Sequence, residues 1–296
     1  VATSLTFVIP SYLQGASIIP TLESLNNAVS NWSSSGYTLV LSDSSTTEDV
    51  VSQAQTWAQN VNCTLIVDRS ETRRPVMDAL NAAFAKPEVG SADIVIVTND
   101  DVLLDPESVT IIVEELQQKP NVVIAVGCTR VDPHFAKGAR RASAWQMKMV
   151  GEIAKRLPSN AVRAEGSLWA TTGAFAHSFR FPAERESIAD DVELADYVIR
   201  NGLRALNLHQ AVVYKIPASG VLEFSRQTRR YQNAAKNSKS SKISRWMLIK
   251  VASQLWLRDP KGAFSYFGYR SALLLNSRYR KNSTEPNWER AQSTWR

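Results

Sequence analysis

The stretch Asp93–Pro106, DIVIVTNDDVLLDP, decides how this chain is read. Ile94, Val95, Ile96 and Val97 form an apolar, β-branched run of the kind a strand needs when both its faces are covered. The run passes without a break into Asn99-Asp100-Asp101. Carboxylates at the carboxyl end of a buried parallel strand lie where open α/β sheets bind ligands. Two adjacent acids repel each other and are costly to take out of water, so a cation is expected to join them. A divalent metal carrying phosphates is one answer. An acidic turn, which Asp and Asn favour for local reasons, is the other. Asp105 and Pro106 then read as the N-cap and first residue of a helix.

Working outward, Leu5–Ile9, Tyr37–Leu41, Thr64–Val67 and Val122–Val126 have strand composition, with helical stretches between them. In the first of these helices Ile18, Leu22, Leu25, Val29 and Trp32 share one face. The alternation predicts a parallel, doubly wound sheet with right-handed crossovers. After Thr129 the pattern changes and becomes mixed. A helix is expected over Ala142–Leu157, short strands around Gly166 and Gly173, and a helix opened by Asp190-Asp191-Val192-Glu193. A strand pair within Ala205–Lys215 and basic helices beyond Ser225 complete the chain. Nothing of low complexity separates independent domains.

With 296 residues, 44% hydrophobic and 21% charged, the composition is that of a globular protein with a sizeable core. Two isolated cysteines, Cys63 and Cys128, offer neither a disulfide framework nor metal spacing, which points to a reducing compartment. No apolar run reaches the ~18 residues of a membrane span, so a cytoplasmic protein is expected. The net charge of +6 is uneven: residues 226–296 hold 16 Lys and Arg against 3 Asp and Glu, and residues 1–225 hold 18 against 25. Such a tail calls for an anionic partner. In Ile243–Leu257 and Gly262–Leu275, Trp246, Ile249, Trp256, Phe264 and Phe267 are bordered by Lys and Arg. Aromatic, cationic helices of this kind suit the surface of an anionic membrane, as a peripheral protein on its inner face. A helical pair folded onto the main domain is the equally open alternative. Nucleic acid is not expected, because the aromatics cluster with aliphatics instead of alternating with the bases' contacts.

Four stretches in order, VIPSY (8–12), LSDSSTTED (41–49), TNDDVLLDP (98–106) and IADDVEL (188–194), resemble the motif series of family 2 glycosyltransferases with the GT-A fold. A fifth, Gln227-Thr228-Arg229-Arg230-Tyr231, is similar to the QxxRW motif of that family's polysaccharide synthases, with Tyr for Trp. The resemblance covers about residues 5–235. It implies a GT-A domain over 1–235, with a nucleotide-sugar half (1–130) and an acceptor half (131–235), followed by a basic helical extension (236–296). The implied activity is inverting transfer of a sugar from a nucleotide donor, UDP-linked by expectation, to a hydroxyl of a glycan or lipid-linked acceptor. The alternatives are a non-catalytic nucleotide-sugar or glycan-binding protein and transfer onto a polyprenyl phosphate.

The resemblance also assigns residues. Pro10, Tyr12 and Gln14 match the first loop, against which the base lies, and Asp43 matches the acid on the uracil–ribose end. Arg74 stands where members carry a basic residue near the diphosphate; Asn99 and Asp100 lie on the nucleotide side. Asp101 matches the last acid of the DXD motif, which contacts Mg²⁺ or Mn²⁺ on the donor's phosphates. The sequence departs from the pattern at Asn99, where an acid is usual, and at Lys215, where many members carry a His ligand. A protonated Lys cannot ligate a metal. Asp191 matches the general base. Asp190, with Glu193 three residues on, also reads as a capping box. Gly173, Asp190, Gln227, Arg230 and Tyr231 fall on the acceptor side. His177 and His209 are conceivable metal ligands or structural residues.

Overall fold

The computed structural model describes residues 3–12, 17–33, 35–162, 165–182, 190–218 and 245–275. Gln14, Gln227, Arg230 and Tyr231 lie outside these residues. The strands are β1 (Leu5–Ser11), β2 (Tyr37–Asp43), β3 (Cys63–Arg69), β4 (Ile94–Thr98), β5 (Val102–Leu104), β6 (Val122–Val131), β7 (Leu168–Thr172) and β8 (Arg204–Lys215). The α-helices are α1 (Ile19–Trp32), α2 (Asp49–Ala58), α3 (Val76–Phe84), α4 (Pro87–Gly90), α5 (Ser108–Gln118), α6 (Arg141–Ala154), α7 (Gly173–Ser178), α8 (Asp190–Arg200), α9 (Arg245–Arg258) and α10 (Pro260–Leu275).

One eight-stranded sheet runs in the order β3-β2-β1-β4-β7-β6-β8-β5. From β3 to β4 it is parallel, as the alternation of strands and helices predicts. The doubly wound pattern does not continue, because β7 enters antiparallel between β4 and β6. The crossover after α5 therefore leaves an empty position that a later strand fills. Strand pairing rewards any partner with the right alternation, and the sequence order of strands does not fix their order in space.

Strand alternation explains both cores. Phe7, Ile9, Leu39, Leu41, Ile94 and Ile96 meet α1, α2 and α5, while Val8, Val40, Val95 and Val97 meet α3, α7 and α8. Every residue of β4 is buried, which is why its sequence is apolar without interruption. Two local expectations are corrected, and one strand is added. The helix after β5 starts at Ser108, not Pro106; Asp105 Oδ1 accepts from the Glu107 N–H at 3.2 Å in a turn instead. Residues Ala205–Lys215 belong to one long strand with an irregular register against β6, not to a strand pair. Val102–Leu104, unremarked in the sequence, is a strand that pairs antiparallel with the end of β8.

The last helices fold back onto α6. Trp145 and Ile153 pack with Val251, Leu255 and Ala263, and Lys148 Nζ lies 2.9 Å from Asp259 Oδ2. The outer faces stay in solvent, with Trp246 81% and Leu257 82% exposed and Ile249 and Phe264 also largely uncovered. Among the described residues no helix is long and apolar enough to cross a membrane.

Candidate active site

The carboxyl ends of β1, β2 and β4 meet in one place because the three strands are parallel neighbours in register. Ser11 pairs with Asp43, and the Ser44 N–H donates to the Ser11 carbonyl at 2.9 Å. The Tyr12 N–H donates to Asp100 Oδ2 at 3.2 Å, and Thr21 Oγ1 donates to the Asp100 carbonyl at 2.9 Å. Pro10, Tyr12, Asp43, Asn99, Asp100 and Asp101 thus lie along one edge of the sheet.

Asp43 is fully buried. Its Oδ1 accepts from the N–H and hydroxyl of Ser45 at 3.2 and 2.6 Å, whereas its Oδ2 has no hydrogen-bond partner among the described residues. A buried carboxylate oxygen without a donor is costly unless a ligand supplies one. The local turn with Ser45 is made by Oδ1 alone.

Arg74 is occupied by the protein. Its guanidinium donates to Asp68 Oδ2 at 2.7 Å and to the Ser42 and Ser44 hydroxyls at 3.3 and 3.4 Å. Burial pushes the Asp68 carboxyl up, but hydrogen bonds from Arg74 and Ser42 and the charges of Arg74 and Lys86 outweigh it and hold the group below the ordinary Asp value. Arg74 therefore ties the end of β2 to the end of β3, a clamp the sequence did not announce because Asp68 looks like any strand-end acid. The neighbouring Arg73 instead sets its guanidinium 4.7 Å from the Tyr12 ring centroid, a cation–π contact.

Asp101 is 5% exposed. Its Oδ2 lies 3.2 Å from Lys215 Nζ. Register explains the meeting: Val102, the residue after Asp101, pairs with Lys215 across β5 and β8. The described residues do not fit a divalent ion at this place. One oxygen of Asp101 already holds an ammonium, Asn99 contributes only a neutral amide, and no group of three His, Cys, Asp or Glu among the described residues is arranged to hold a metal. His177 lies away from the acids, its Nδ1 3.1 Å from the Phe84 carbonyl.

Asp191 enters from the mixed half. Thr98 Oγ1, at the end of β4, donates to the Ser167 carbonyl at 2.9 Å. The adjacent Gly166 lies against Asp190 and Asp191, where an added Cβ would meet Asp190 Oδ2 and Asp191 Cβ each at 3.5 Å. The loop before β7 thus links the acid pair of α8 to the carboxyl end of β4. Asp191 Oδ1 accepts from the Val192 N–H at 2.8 Å, which fixes the carboxylate at the start of its helix. It lines a small, mainly apolar cavity with Glu165, Val162 and Leu194. Glu193 Oε1 lies 2.6 Å from an Arg200 guanidinium nitrogen, two turns on.

Gly173 does not join this cluster. It begins α7 at the opposite end of β7, beside Thr172, which pairs with Ile94 at the start of β4. An added Cβ would lie 2.1 Å from the Ala92 carbonyl oxygen and 2.5 Å from that of Val89. The glycine is required by backbone packing, and its expected place on the acceptor side is corrected.

The family description "Glycosyl transferase family 2" matches residues 6–177. No match was found among curated proteins. Among solved structures, the chain is similar to the mannosyltransferase PcManGT from Pyrobaculum calidifontis, in complex with GDP-Man and Mn²⁺, with 18% identity over 97% of this chain and 86% of that one at a TM-score of 0.54. It is also similar to S. aureus TarS 1-349 in complex with UDP, with 13% identity over 93% and 75% of the two chains at a TM-score of 0.51. These likenesses concern the fold, which is GT-A-like: a mixed sheet with helices on both faces and further helices toward the C-terminus. The match over 6–177 covers more than half of the sequence and runs through the strand ends that carry Asp43, Asp100 and Asp101, so the chain belongs to glycosyl transferase family 2.

Proposed function

We propose that the protein is an inverting glycosyltransferase that moves a sugar from a nucleoside-diphosphate donor, with a UDP-sugar as the first expectation, to a hydroxyl of a glycan or lipid-linked acceptor. The observation that carries this reading is the loop Gly166–Ser167, which touches Thr98 at the donor strand on one side and Asp190 and Asp191 on the other. A base and a leaving group must flank the anomeric carbon for single displacement. In that step the acceptor oxygen bonds to the anomeric carbon and gives its proton to Asp191. The bond from that carbon to the phosphate oxygen breaks, and its electron pair leaves with the nucleoside diphosphate. Asp43 Oδ2 is the acceptor for a donor group of the nucleoside, with Pro10, Tyr12, Asn99 and Asp100 around it; Asp190, Gln227, Arg230 and Tyr231 remain the acceptor-side expectations.

The exposed Trp246, Ile249, Leu257 and Phe264 favour an acceptor held at an anionic membrane surface, with 236–296 as the part that docks there. Asp191→Asn is the decisive variant. Transfer and donor hydrolysis should fall by about 10²–10⁴-fold, the usual contribution of a positioned base, while UDP or GDP affinity stays within about twofold. A wild-type protein that binds the donor without ever hydrolysing or transferring it would be a binding protein instead.

A further inference from the structure

We infer that Lys215 is the resident cation of the donor site: its ammonium, held on Asp101, binds the diphosphate of the nucleotide sugar in place of a divalent metal. The inference rests on the glycosyltransfer reading and deepens it. Three features support it.

The first is placement. Lys215 is the last residue of β8, and its backbone is fixed on both sides, pairing with Val102 of β5 and Val131 of β6. The Asp132 N–H donates to its carbonyl at 3.2 Å. A long, flexible side chain on such an anchored residue delivers its charge to one region, and that region is the acidic turn after β4.

The second is the ion pair itself. Lys215 Nζ lies 3.2 Å from Asp101 Oδ2, with the two side chains 22% and 6% exposed. An ammonium has three N–H donors, and a single carboxylate oxygen takes one of them. The partial exposure leaves the charge accessible from solvent. Lys is a compact point charge on a mobile stem, a chemistry well suited to phosphate oxygens.

The third is the loss of ligand charge. Asn99 offers a neutral amide where a carboxylate would add ligand charge, and a divalent ion on Asp101 would have to sit against the ammonium, a like charge on the same carboxylate. The two residues act in the same sense: Asn99 brings no negative charge to the turn, and Lys215 brings a positive one. The leaving nucleoside diphosphate gains a negative charge as the glycosidic bond breaks, and a fixed ammonium stabilises that charge without any proton changing place.

The test is calorimetric titration of the full chain with UDP and with GDP, in EDTA and again in Mn²⁺. One of the two nucleotides should bind in EDTA, with Mn²⁺ changing the affinity by less than about threefold. Lys215→Met should weaken that binding by at least about tenfold, the loss of a charge-assisted contact, and leave binding of the matching nucleoside, uridine or guanosine, unchanged. Lys215→His, which supplies a metal ligand, should restore binding in Mn²⁺ but not in EDTA. Binding of wild type only in Mn²⁺, or full binding by Lys215→Met in EDTA, overturns the role of Lys215 while the glycosyltransfer reading stands. Binding of neither nucleotide under either condition overturns the donor-site reading as a whole. Should Lys215→Met fail to fold by thermal melting, the comparison of EDTA and Mn²⁺ in wild type and in Lys215→Arg still decides.

Discussion

The donor edge of the sheet and the outer helical layer break the ordinary inside–outside rule in opposite directions. At the donor edge, polar groups are buried: Asp43, Asp100 and Asp101 are at most 5% exposed. In the helical layer, large apolar groups are uncovered: Trp246 and Leu257 exceed 80% exposure. Each arrangement costs free energy in the isolated protein, the first through desolvated carboxylates and the second through wetted apolar surface. Under the proposed function, each cost is offset on binding. On the same proposal, the donor edge takes hydrogen-bond donors and positive charge, whereas the helical layer takes an apolar surface bordered by anions. The difference separates a site for a small polar ligand from a surface for a large one.

The contrast can be broken most severely at Asp43. Asp43→Ala removes the carboxylate expected to hold the nucleoside, and UDP or GDP affinity measured by titration should fall by about 10–100-fold. Unchanged affinity would mean that the uncompensated oxygen belongs to the fold alone.

A smaller effect separates binding from scaffolding at the same edge. Arg74→Ala should lower unfolding free energy by about 1–2 kcal/mol in urea titrations, because Arg74 holds Asp68 and the Ser42 and Ser44 hydroxyls. The pH dependence has a defined sign. Pairing holds the Asp68 carboxyl below its ordinary value, so the contribution is complete above the unfolded Asp pKa of ~3.9 and is lost as pH falls through the lower folded value. The gap between wild type and variant should therefore be constant near neutrality and narrow in acid below about pH 4.

The least effect on stability is expected in the helical layer. A Trp246→Ser, Leu257→Ser double variant should change unfolding free energy by no more than about 0.5 kcal/mol, since both side chains are in solvent. Its partitioning onto vesicles containing anionic lipid, measured by co-sedimentation, should nevertheless fall by about tenfold. Equal partitioning of the two proteins would remove the membrane from the reading.

The two halves of the sheet also differed in how much the sequence revealed. In β3-β2-β1-β4 each strand pairs in parallel with strands separated from it by one helical crossover or by a repetition of that unit, so alternation was sufficient to predict the parallel sheet, and the resemblance implied that Pro10, Tyr12, Asp43 and Asp100 would share its carboxyl edge. Arg74 was placed near them but not its partner, because a strand-end Asp carries no mark of the arginine that will meet it. In β7-β6-β8-β5 the pairings reach across long stretches of chain, and local pattern does not encode which strand fills which position. The surroundings of Gly173 were not legible for that reason: its neighbours are the backbone carbonyls of Val89 and Ala92, which no local pattern points to.

By itself the sequence determined the buried strand Ile94–Thr98, the acidic turn that follows it, and the oddity of Asn99 and Lys215 as two separate departures from a motif. Only the tertiary structure decided that these departures belong to one place. Three residues, Val102–Leu104, pair with the end of β8, and that register sets Lys215 beside Asp101 across more than a hundred residues of chain. Charge and hydrophobicity along a chain are local properties, whereas the partner of a charge is fixed by strand register, which depends on the packing of the whole sheet.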